Sequence, residues 1–320
     1  MSPRIDVHHH FLFKDYVDTL SQQGGDPSGW HTPEWSEELD QEFNKRHGIT
    51  TTILSLNAPG PGIVSGPASA KLARVANEEA AAIRDAHPQQ YGFFAAVPSL
   101  LDTEAALSEI QYALDVLKAD GVTLFTRYGD GNYYLGHEKF KPIWDELDKR
   151  AAVVFIHPTH PVDITPVNKL LAQPVIDYPH ETTRAAVDLI VSNTVRTHQN
   201  VKIILSHAGG TLPWLAHRPA SLVGFSKKIG KSLEEFLADA KSFYFDLALS
   251  GSPEVVSYML NFAKKDHVLF GSDFPYADES IISYFNSRLA GALGEMGDGE
   301  RDGISFGAAH KLFPRLVQGG

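Results

Sequence analysis

The stretch Ile5-Asp6-Val7-His8-His9-His10 places three consecutive histidines at the end of the first apolar run of the chain. Side chains alternate between the two faces of an extended strand, so His8 and His10 share one face and His9 lies on the other. Two neutral imidazoles on one face suit a divalent cation such as zinc. A histidine run near a terminus is also typical of a tag remnant, but this run continues an apolar strand pattern. The stretch therefore predicts a strand that ends in a pair of metal ligands.

The length and composition of the chain indicate a single globular domain. A chain of 320 residues fits a single large α/β barrel, and we expect one domain over residues 1–320. The 28 basic and 39 acidic residues give a net charge of -11, which argues against a nucleic-acid partner or an acidic membrane surface. The absence of cysteine excludes thiolate ligands and disulfides. Since the sequence contains neither a signal-peptide pattern nor a membrane-spanning run, we expect a cytoplasmic protein.

The fold prediction depends on eight short apolar or β-branched runs, each followed by a segment with helical spacing. The runs lie at residues 5–10, 49–57, 91–97, 121–126, 152–157, 201–207, 243–249 and 267–273. Helices are predicted over residues 68–87, 103–118, 138–150, 180–197, 253–265 and 279–293. Alternating strands and helices are typical of parallel strands joined by right-handed crossovers. Eight such units predict a (β/α)8 TIM barrel, with an open doubly wound sheet as the alternative.

Three turn-rich segments interrupt this alternation, after the first, second and fifth predicted strands. They lie at residues 24–35, 57–62 and 158–179. We interpret them as active-site insertions at the mouth of the barrel, and the third is long enough to form a lid or pocket wall. The tail at residues 303–320 predicts a final helix that closes the barrel, with Phe306, Leu312 and Phe313 packed inward.

Polar residues follow four of the predicted strands at their carboxyl ends, where barrel enzymes assemble their active sites. His8, His10, His157 and Asp273 provide three imidazoles and one carboxylate, a ligand set suited to zinc or manganese. His207 is then available as a general acid or base. The spacing also allows His207 as a fourth imidazole ligand, with Asp273 behind the ligand shell. No lysine follows the fourth strand, so no carbamylated lysine can bridge two ions, and a single-metal site is predicted.

Four motifs together resemble those of the amidohydrolase superfamily. They are Asp6-x-His8-x-His10, Phe155-Ile156-His157-Pro158, Ser206-His207-Ala208-Gly209-Gly210 and Gly271-Ser272-Asp273-Phe274-Pro275. Within the superfamily they are similar to the single-metal, non-oxidative decarboxylase branch, which includes aminocarboxymuconate semialdehyde decarboxylase and the resorcylate and salicylate decarboxylases. Residues 26–30, 58–62 and 121–126 resemble, more narrowly, the fungal 6-methylsalicylate decarboxylases.

The resemblance implies roles for particular residues. It implies that the three histidines and the aspartate of the predicted ligand set hold the ion, and that His207 takes part in proton transfer. Either His207 or Asp273 is the proton donor, so both are candidate catalytic residues. It also implies that Arg218 binds a substrate carboxylate or lies at the interface of a homodimer, reaching the site of a neighbouring subunit. Some relatives have glutamate at the position of His8, so this chain is nearer to the muconate-semialdehyde type.

The implied activity is metal-dependent, non-oxidative decarboxylation of an ortho-hydroxy aromatic acid, with 6-methylsalicylate as the first candidate substrate and m-cresol as its product. Trp30, Phe274 and Tyr276 are candidates to enclose the aromatic ring. The nearest alternative is a single-metal hydrolase, of lactonase or ester type, in which the ion activates water and His207 is the base. A barrel that binds metal or ligand without catalysis is a second alternative.

Overall fold

Eight parallel strands form the centre of the molecule. A computed structural model describes residues 3–226 and 228–317. The strands pair in chain order, each with the next. They are β1 (Arg4–Phe11), β2 (Ile49–Leu56), β3 (Tyr91–Ala96), β4 (Gly121–Phe125), β5 (Val153–His157), β6 (Lys202–Leu205), β7 (Tyr244–Asp246) and β8 (Val268–Leu269). All eight predicted runs are confirmed, and each observed strand lies within or next to its predicted range.

The first strand meets the chain that follows the last strand, which closes the barrel. Val7 N donates to Phe270 O at 3.1 Å, and His10 N donates to Phe274 O at 2.8 Å. A parallel bridge joins His9 and Phe274 at the same seam. The (β/α)8 barrel is therefore confirmed, and the open-sheet alternative is wrong, because an open sheet would leave these two edges apart.

Helices connect and cover the strands. The α-helices are α1 (Lys14–Gln22), α2 (Glu37–His47), α3 (Gly66–Ala86), α4 (Thr103–Asp115), α5 (Lys141–Lys149), α6 (Asp177–Val191), α7 (Thr194–Thr197), α8 (Leu212–Leu215), α9 (His217–Gly224), α10 (Leu233–Ala240), α11 (Pro253–Phe262), α12 (Glu279–Gly294), α13 (Asp298–Asp302) and α14 (Ala308–Leu312). Short 3₁₀ turns cover Gly60–Ile63, Glu138–Phe140, Gln173–Val175, His207–Gly209 and Pro314–Val317, and a π-helical turn covers Gly303–Gly307. A two-stranded hairpin joins Arg127–Tyr128 to Tyr133–Tyr134.

The six predicted connecting helices are confirmed, but the structure also contains α8, α9, α10 and α13, which were not predicted, and the predicted final helix is divided into a π-helical turn, α14 and a 3₁₀ turn. The helix predicted over residues 180–197 divides into α6 and α7, because Asn193 takes a left-handed φ of 62°. Residues 14–47 contain α1 and α2, which the sequence reading did not predict. The signals for α2 are nevertheless present: Ser36 accepts from Leu39 N as an N-cap, and Gly48 ends the helix in the left-handed conformation.

A cluster of buried apolar side chains fills the barrel below the predicted metal site. Val7, Phe94 and Phe155 are buried inside the strands, and they pack with residues of α14 at the amino-terminal end of the barrel. Leu312 and Phe313 are buried in this cluster, and Phe306 packs against it. The predicted inward packing of the tail is therefore confirmed, although residues 318–320 of the predicted helix lie outside the described residues. The polar groups are thus confined to the opposite, carboxyl end.

None of the helices in the described part of the chain combines the length and the apolar composition needed to cross a membrane.

Candidate metal centre and active site

Five predicted side chains converge at the carboxyl end of the barrel. The ligand atoms of His8, His157, His207 and Asp273 all lie within 4.8 Å of one another. His10 Nε2 lies 3.2 Å from Asp273 Oδ1, and His8 Nε2 lies 3.3 Å from the same oxygen. Strands β1, β5 and β6 and the segment after β8 therefore bring together residues that are far apart in the sequence. His207 lies close enough to the centre for either predicted role, ligand or proton-transfer group.

Hydrogen bonds hold three of the imidazoles by their Nδ1 atoms. His10 Nδ1 lies 2.9 Å from Ser55 Oγ, His157 Nδ1 lies 2.7 Å from Pro158 O, and His207 Nδ1 lies 3.1 Å from Ala248 O. Because a carbonyl oxygen only accepts, His157 and His207 must carry a hydrogen on Nδ1. Their Nε2 lone pairs are then free to bind a cation or a proton.

His8 has a carboxylate behind it. Its Nδ1 lies 3.0 Å from Asp246 Oδ2, and both side chains are fully buried. The other oxygen of Asp246 accepts from His207 N at 3.1 Å and from Ala248 N at 3.0 Å. One carboxylate at the end of β7 therefore orients two members of the cluster, and the sequence reading did not identify it.

The donor set fits a divalent cation. His8 Nε2 and His10 Nε2 are buried, and neither has a hydrogen-bond partner among the described residues. Two ligands bound tetrahedrally to one zinc ion at ~2.0–2.1 Å lie about 3.4 Å apart. The distances of 3.2 and 3.3 Å from these nitrogens to Asp273 Oδ1 are close to that separation. A shared cation would satisfy the atoms that the protein itself leaves without partners.

The electrostatics also favour a cation. Burial acts to lower the pKa of His8, but Asp246 and Asp273 outweigh burial and raise this pKa to about 10. The neighbouring imidazoles behave in the opposite way. Burial lowers the pKa of His10 to about 4 and lowers the pKa of His157 well below its usual value. The two carboxylates therefore attract positive charge to the site, while burial holds His10 and His157 in the neutral form in which histidine binds a metal.

The backbone is unusual at two of these residues. His207 and Asp273 have φ angles of 52° and 68°, in the left-handed region that non-glycine residues seldom adopt. Such conformations persist where the surrounding structure holds them, often at functional sites. Here Asp273 N donates to His8 O at 2.8 Å, and His207 N donates to Asp246. Asp273 is therefore fixed by the strand that supplies His8, and His207 is fixed by the carboxylate that orients His8.

His9 has a structural environment, as the alternation along β1 predicts. Its Nδ1 lies 3.0 Å from Asp6 Oδ2, and its Nε2 lies 2.7 Å from Asp40 Oδ2. Asp40 also accepts from Tyr91 and Trp35. This buried network ties β1 to α2 on the outer side of the barrel, away from the metal centre.

A cavity of about 460 Å³ opens above the cluster. Its wall is mainly apolar, with a few polar side chains, and no lysine or arginine of the described chain lines it. The lining residues are Asp26, Trp30, Asn57, His157, Pro174, Val175, Tyr178, Pro179, His207, Gly210, Leu249, Ser250, Asp273, Tyr276, Ala277, Ile281 and Phe285. All three predicted insertions contribute to this wall, and the long third one supplies four residues of it. The volume suits a small aromatic acid.

The predicted substrate contacts divide into two groups. Trp30 and Tyr276 line the cavity, and Trp30 Nε1 donates to Tyr276 O at 2.9 Å. Phe274 does not line it: its ring stacks on Phe43 at 4.0 Å, on the outer side of the strand. Placing Phe274 against the substrate is therefore corrected. Arg218 is exposed on α9 and is also absent from the cavity lining.

The sequence analysis did not identify five polar residues of the site: Asp246, Asp26, Asn57, Tyr178 and Ser250. Asp246 interrupts the apolar run at residues 243–249, and Asn57 ends the second predicted strand, so a search of every strand end for polar residues finds both. Asp26 and Ser250 lie in loops and Tyr178 lies in the first turn of α6, where only the folded structure shows which side chains face inward.

Fold and site together define a class: barrel enzymes with a His/Asp metal-binding site at the carboxyl ends of their strands. The chain belongs to the amidohydrolase family, whose profile matches residues 5–315. The family resemblance seen in the sequence motifs is therefore confirmed.

Two curated relatives and one solved structure give more detail. The chain is 54% identical over 315 residues to the 6-methylsalicylic acid decarboxylase of Penicillium expansum, covering 98% of this chain and 97% of that protein. It is 54% identical over 318 residues to the 6-methylsalicylic acid decarboxylase of Aspergillus aculeatus, covering 98% and 96%. A crystal structure of an amidohydrolase II superimposes with a TM-score of 0.87 at 29% identity, covering 97% of this chain and 99% of that one.

Proposed function

We propose that the protein is a metal-dependent carboxy-lyase that removes carbon dioxide from an ortho-hydroxy aromatic acid, with 6-methylsalicylate as its substrate and m-cresol as its product. The similarity to two decarboxylases over nearly the whole chain supports this proposal. The single structural observation that carries it is the convergence of His8, His157, His207 and Asp273 beneath an aromatic-sized cavity. The single-domain extent over residues 1–320 and the cytoplasmic location stay predictions.

The substrate presents a chemical obstacle that the site must remove. Direct loss of carbon dioxide from an aryl carboxylate would leave a carbanion with no orbital to delocalise it. Protonation of the ring carbon avoids this, because the resulting tautomer resembles a β-keto acid. The ortho hydroxyl makes that carbon electron-rich. The enzyme must therefore fix the ring and deliver one proton to one carbon atom.

We assign His8, His10, His157 and Asp273 to hold the cation and His207 to move the proton. A bound divalent cation supplies positive charge that attracts the carboxylate and ortho-hydroxyl oxygens of the substrate. Burial lowers the pKa of His207, so its Nε2 is a free base at neutral pH. This nitrogen faces the cavity because Nδ1 is held by Ala248 O. It can take the proton of the substrate's ortho hydroxyl and return it to the ring carbon, and the phenolate left when carbon dioxide departs takes a proton from solvent. Zinc is the proposed ion from the histidine-rich ligand set, with manganese as the alternative.

The decisive experiment is an assay of purified protein with 6-methylsalicylate, followed by carbon dioxide release and m-cresol formation, with elemental analysis of the same sample. Ester or lactone turnover without carbon dioxide release would instead support the hydrolase alternative. His157→Ala should lose the ion and the activity together. His207→Ala should keep the ion and lose turnover, which also excludes a barrel that only binds metal.

A matched control is His198→Ala, because His198 is buried but bonds Thr194 O and Asp145 far from the cluster. This variant should keep its metal. Full activity of metal-free His157→Ala protein would contradict the metal role.

We also propose a homodimer formed through α8 and α9. Three apolar side chains are exposed here: Trp214 of α8, Leu222 of α9 and Phe225 directly after α9. Trp214 is 80% and Phe225 is 89% accessible. Exposed apolar clusters of this kind are typical of protein interfaces. Arg218 lies on the same surface, which fits the implied role of an arginine that reaches a neighbouring subunit.

Sedimentation tests the dimer. Phe225→Asp should convert the dimer to a monomer, while Val116→Asp, at an exposed position on a different surface, should not. A monomeric wild-type protein would refute the homodimer without affecting the decarboxylase assignment.

A further inference from the structure

Two buried polar atoms of the cavity wall have no partner. Asn57 Oδ1 and the Tyr178 hydroxyl are both buried, and neither has a described residue in hydrogen-bond geometry, although the Ser28 side chain lies near the Tyr178 hydroxyl and Tyr276 lies near the Asn57 amide. Both residues line the cavity above the metal cluster. Buried polar groups are nearly always hydrogen-bonded, and an exception at a binding cavity points to a ligand atom. Tyr178 is only 4% exposed, and its ring lies 6.2 Å from the ring of His157, edge to face.

The two atoms differ in what they can bind. Asn57 Oδ1 is an acceptor and would repel a carboxylate, whereas the Tyr178 hydroxyl has a hydrogen to donate. The cavity lining contains no cationic side chain among the described residues, so apart from the proposed metal ion only a neutral donor can bind an aromatic carboxylate there. Burial raises the pKa of Tyr178 well above its ordinary value, and the hydroxyl therefore keeps its hydrogen.

We infer that Tyr178 is a substrate-positioning residue whose hydroxyl donates a hydrogen bond to the carboxylate of the aromatic acid. The inference rests on the proposed function and adds a residue to it. The acceptor at Asn57 then faces the substrate's hydroxyl group, so the wall distinguishes the two ortho oxygens and orients the ring. Tyr178 lies in the long third insertion, at the start of α6. The insertion thus contributes a specific contact as well as covering the cavity.

The test compares Tyr178→Phe with Tyr134→Phe. Tyr134 lies in the hairpin beside α6, and its hydroxyl donates to the buried carboxylate of Glu181 at 2.9 Å. Tyr178→Phe should raise KM for 6-methylsalicylate about 10- to 100-fold, the range for a lost hydrogen bond to a charged group. It should leave the melting temperature unchanged or higher, because the hydroxyl has no partner in the empty enzyme. Tyr134→Phe should lower the melting temperature and leave KM unchanged.

Product inhibition identifies the atom that Tyr178 binds, because m-cresol lacks the carboxylate. Its inhibition constant should be the same for the wild type and Tyr178→Phe. An unchanged KM in Tyr178→Phe, an equal loss of substrate and m-cresol binding, or a fall in melting temperature as large as that of Tyr134→Phe would each overturn the inference. A wild-type protein that releases no carbon dioxide from 6-methylsalicylate would refute the proposed function instead, which a separate wild-type assay shows directly.

Discussion

At the scale of single residues, Asp246 determines which nitrogen of His8 faces the candidate metal centre. The carboxylate can only accept, so Nδ1 of His8 must carry the hydrogen and Nε2 must face the centre. Asp246→Asn would keep an oxygen for the amides of His207 and Ala248 and would present an NH₂ group to His8. The imidazole would then protonate at Nε2 and lose its ligand atom. We expect metal affinity to fall about 10- to 100-fold, as measured by competition with a chelator.

Asp188→Asn is the control for this change. Asp188 also accepts from a backbone amide, that of Gly136 at 2.7 Å, but lies outside the cavity lining. Metal affinity should not change in this variant. Equal affinities of the Asp246→Asn and wild-type proteins would contradict the proposed role of the carboxylate.

The raised pKa of His8 predicts that the affinity for metal depends on pH. In the metal-free protein its pKa is raised to about 10, so at neutral pH it carries a proton that a metal at Nε2 must displace. Each unit of pH below about 10 then costs a factor of about ten in affinity, and affinity rises with pH. Calorimetry in buffers of different ionisation enthalpy should show about one proton released per ion near pH 7. Proton uptake, or an affinity independent of pH, would show that His8 is neutral before binding.

The direction of individual side chains could be predicted from the sequence in β1 but not in the loop after β8. Alternation along β1 correctly separated His8 and His10 from His9, because side-chain direction in a strand follows from position alone. The same reasoning could not separate Phe274 from Tyr276. Both follow β8, but only the path of the loop decides that Phe274 packs on Phe43 while Tyr276 lines the cavity. The alternation of side chains predicts their direction only within the strand and not in the loop that follows it.

At the scale of elements, the loop after β6 is held against α6 at very close range. Gly210 has a φ of 64°, and a Cβ atom there would lie 2.0 Å from Pro179 O. The next residue continues the contact, since Thr211 N donates to Thr183 Oγ1 at 2.8 Å. Gly210→Ala must therefore push the loop that carries His207 away from α6. A displacement of about 1 Å at a catalytic group can cost ~10²-fold in rate, and we expect kcat/KM to fall by 10- to 100-fold.

The control is Gly230→Ala, which has a similar φ of 66° but open space around the new atom. It tests the backbone conformation without the collision. This substitution should lower the free energy of unfolding by about 1–2 kcal/mol and leave kcat/KM unchanged. If both variants lost activity equally, the close approach of the loop to α6 would not be the cause.

The helices show a second limit of the sequence reading. Amphipathic spacing identified α4, where Ile110 is buried and Leu107 and Leu114 pack partly against the core, as does Leu117 just beyond the end of the helix. Because residues 24–35 are rich in turn-forming residues, the sequence analysis did not predict α1 before them or α2 after them. The caps at Ser36 and Gly48 carried the missing information, since local hydrogen bonding fixes the ends of a helix whose apolar stripe is weak.

At the scale of the whole molecule, the metal cluster lies across the seam of the barrel. The seam between β1 and β8 is short, because β8 itself has only two residues. Beyond it, Ser272 N and Asp273 N donate to His8 O at 3.2 and 2.8 Å, and Val7 N and His10 N donate in the other direction. A cation held by His8, His10 and Asp273 would join the first strand to the segment after the last one. The ion would thus stabilise the closed barrel as well as bind substrate.

Removal of the metal should therefore lower the stability of the seam between β1 and β8 more than that of the rest of the barrel. Hydrogen exchange after chelation should accelerate at the amides of Val7, His10, Ser272 and Asp273, because local opening of the seam no longer requires the ion to dissociate. Amides between β3 and β4 should change less, since Gly121 to Thr123 pair with Phe94 to Ala96 far from the seam. The comparison provides its own control within one sample. Uniform acceleration around the barrel would mean that the ion stabilises the fold as a whole, and no acceleration would mean that the strand pairing closes the seam unaided.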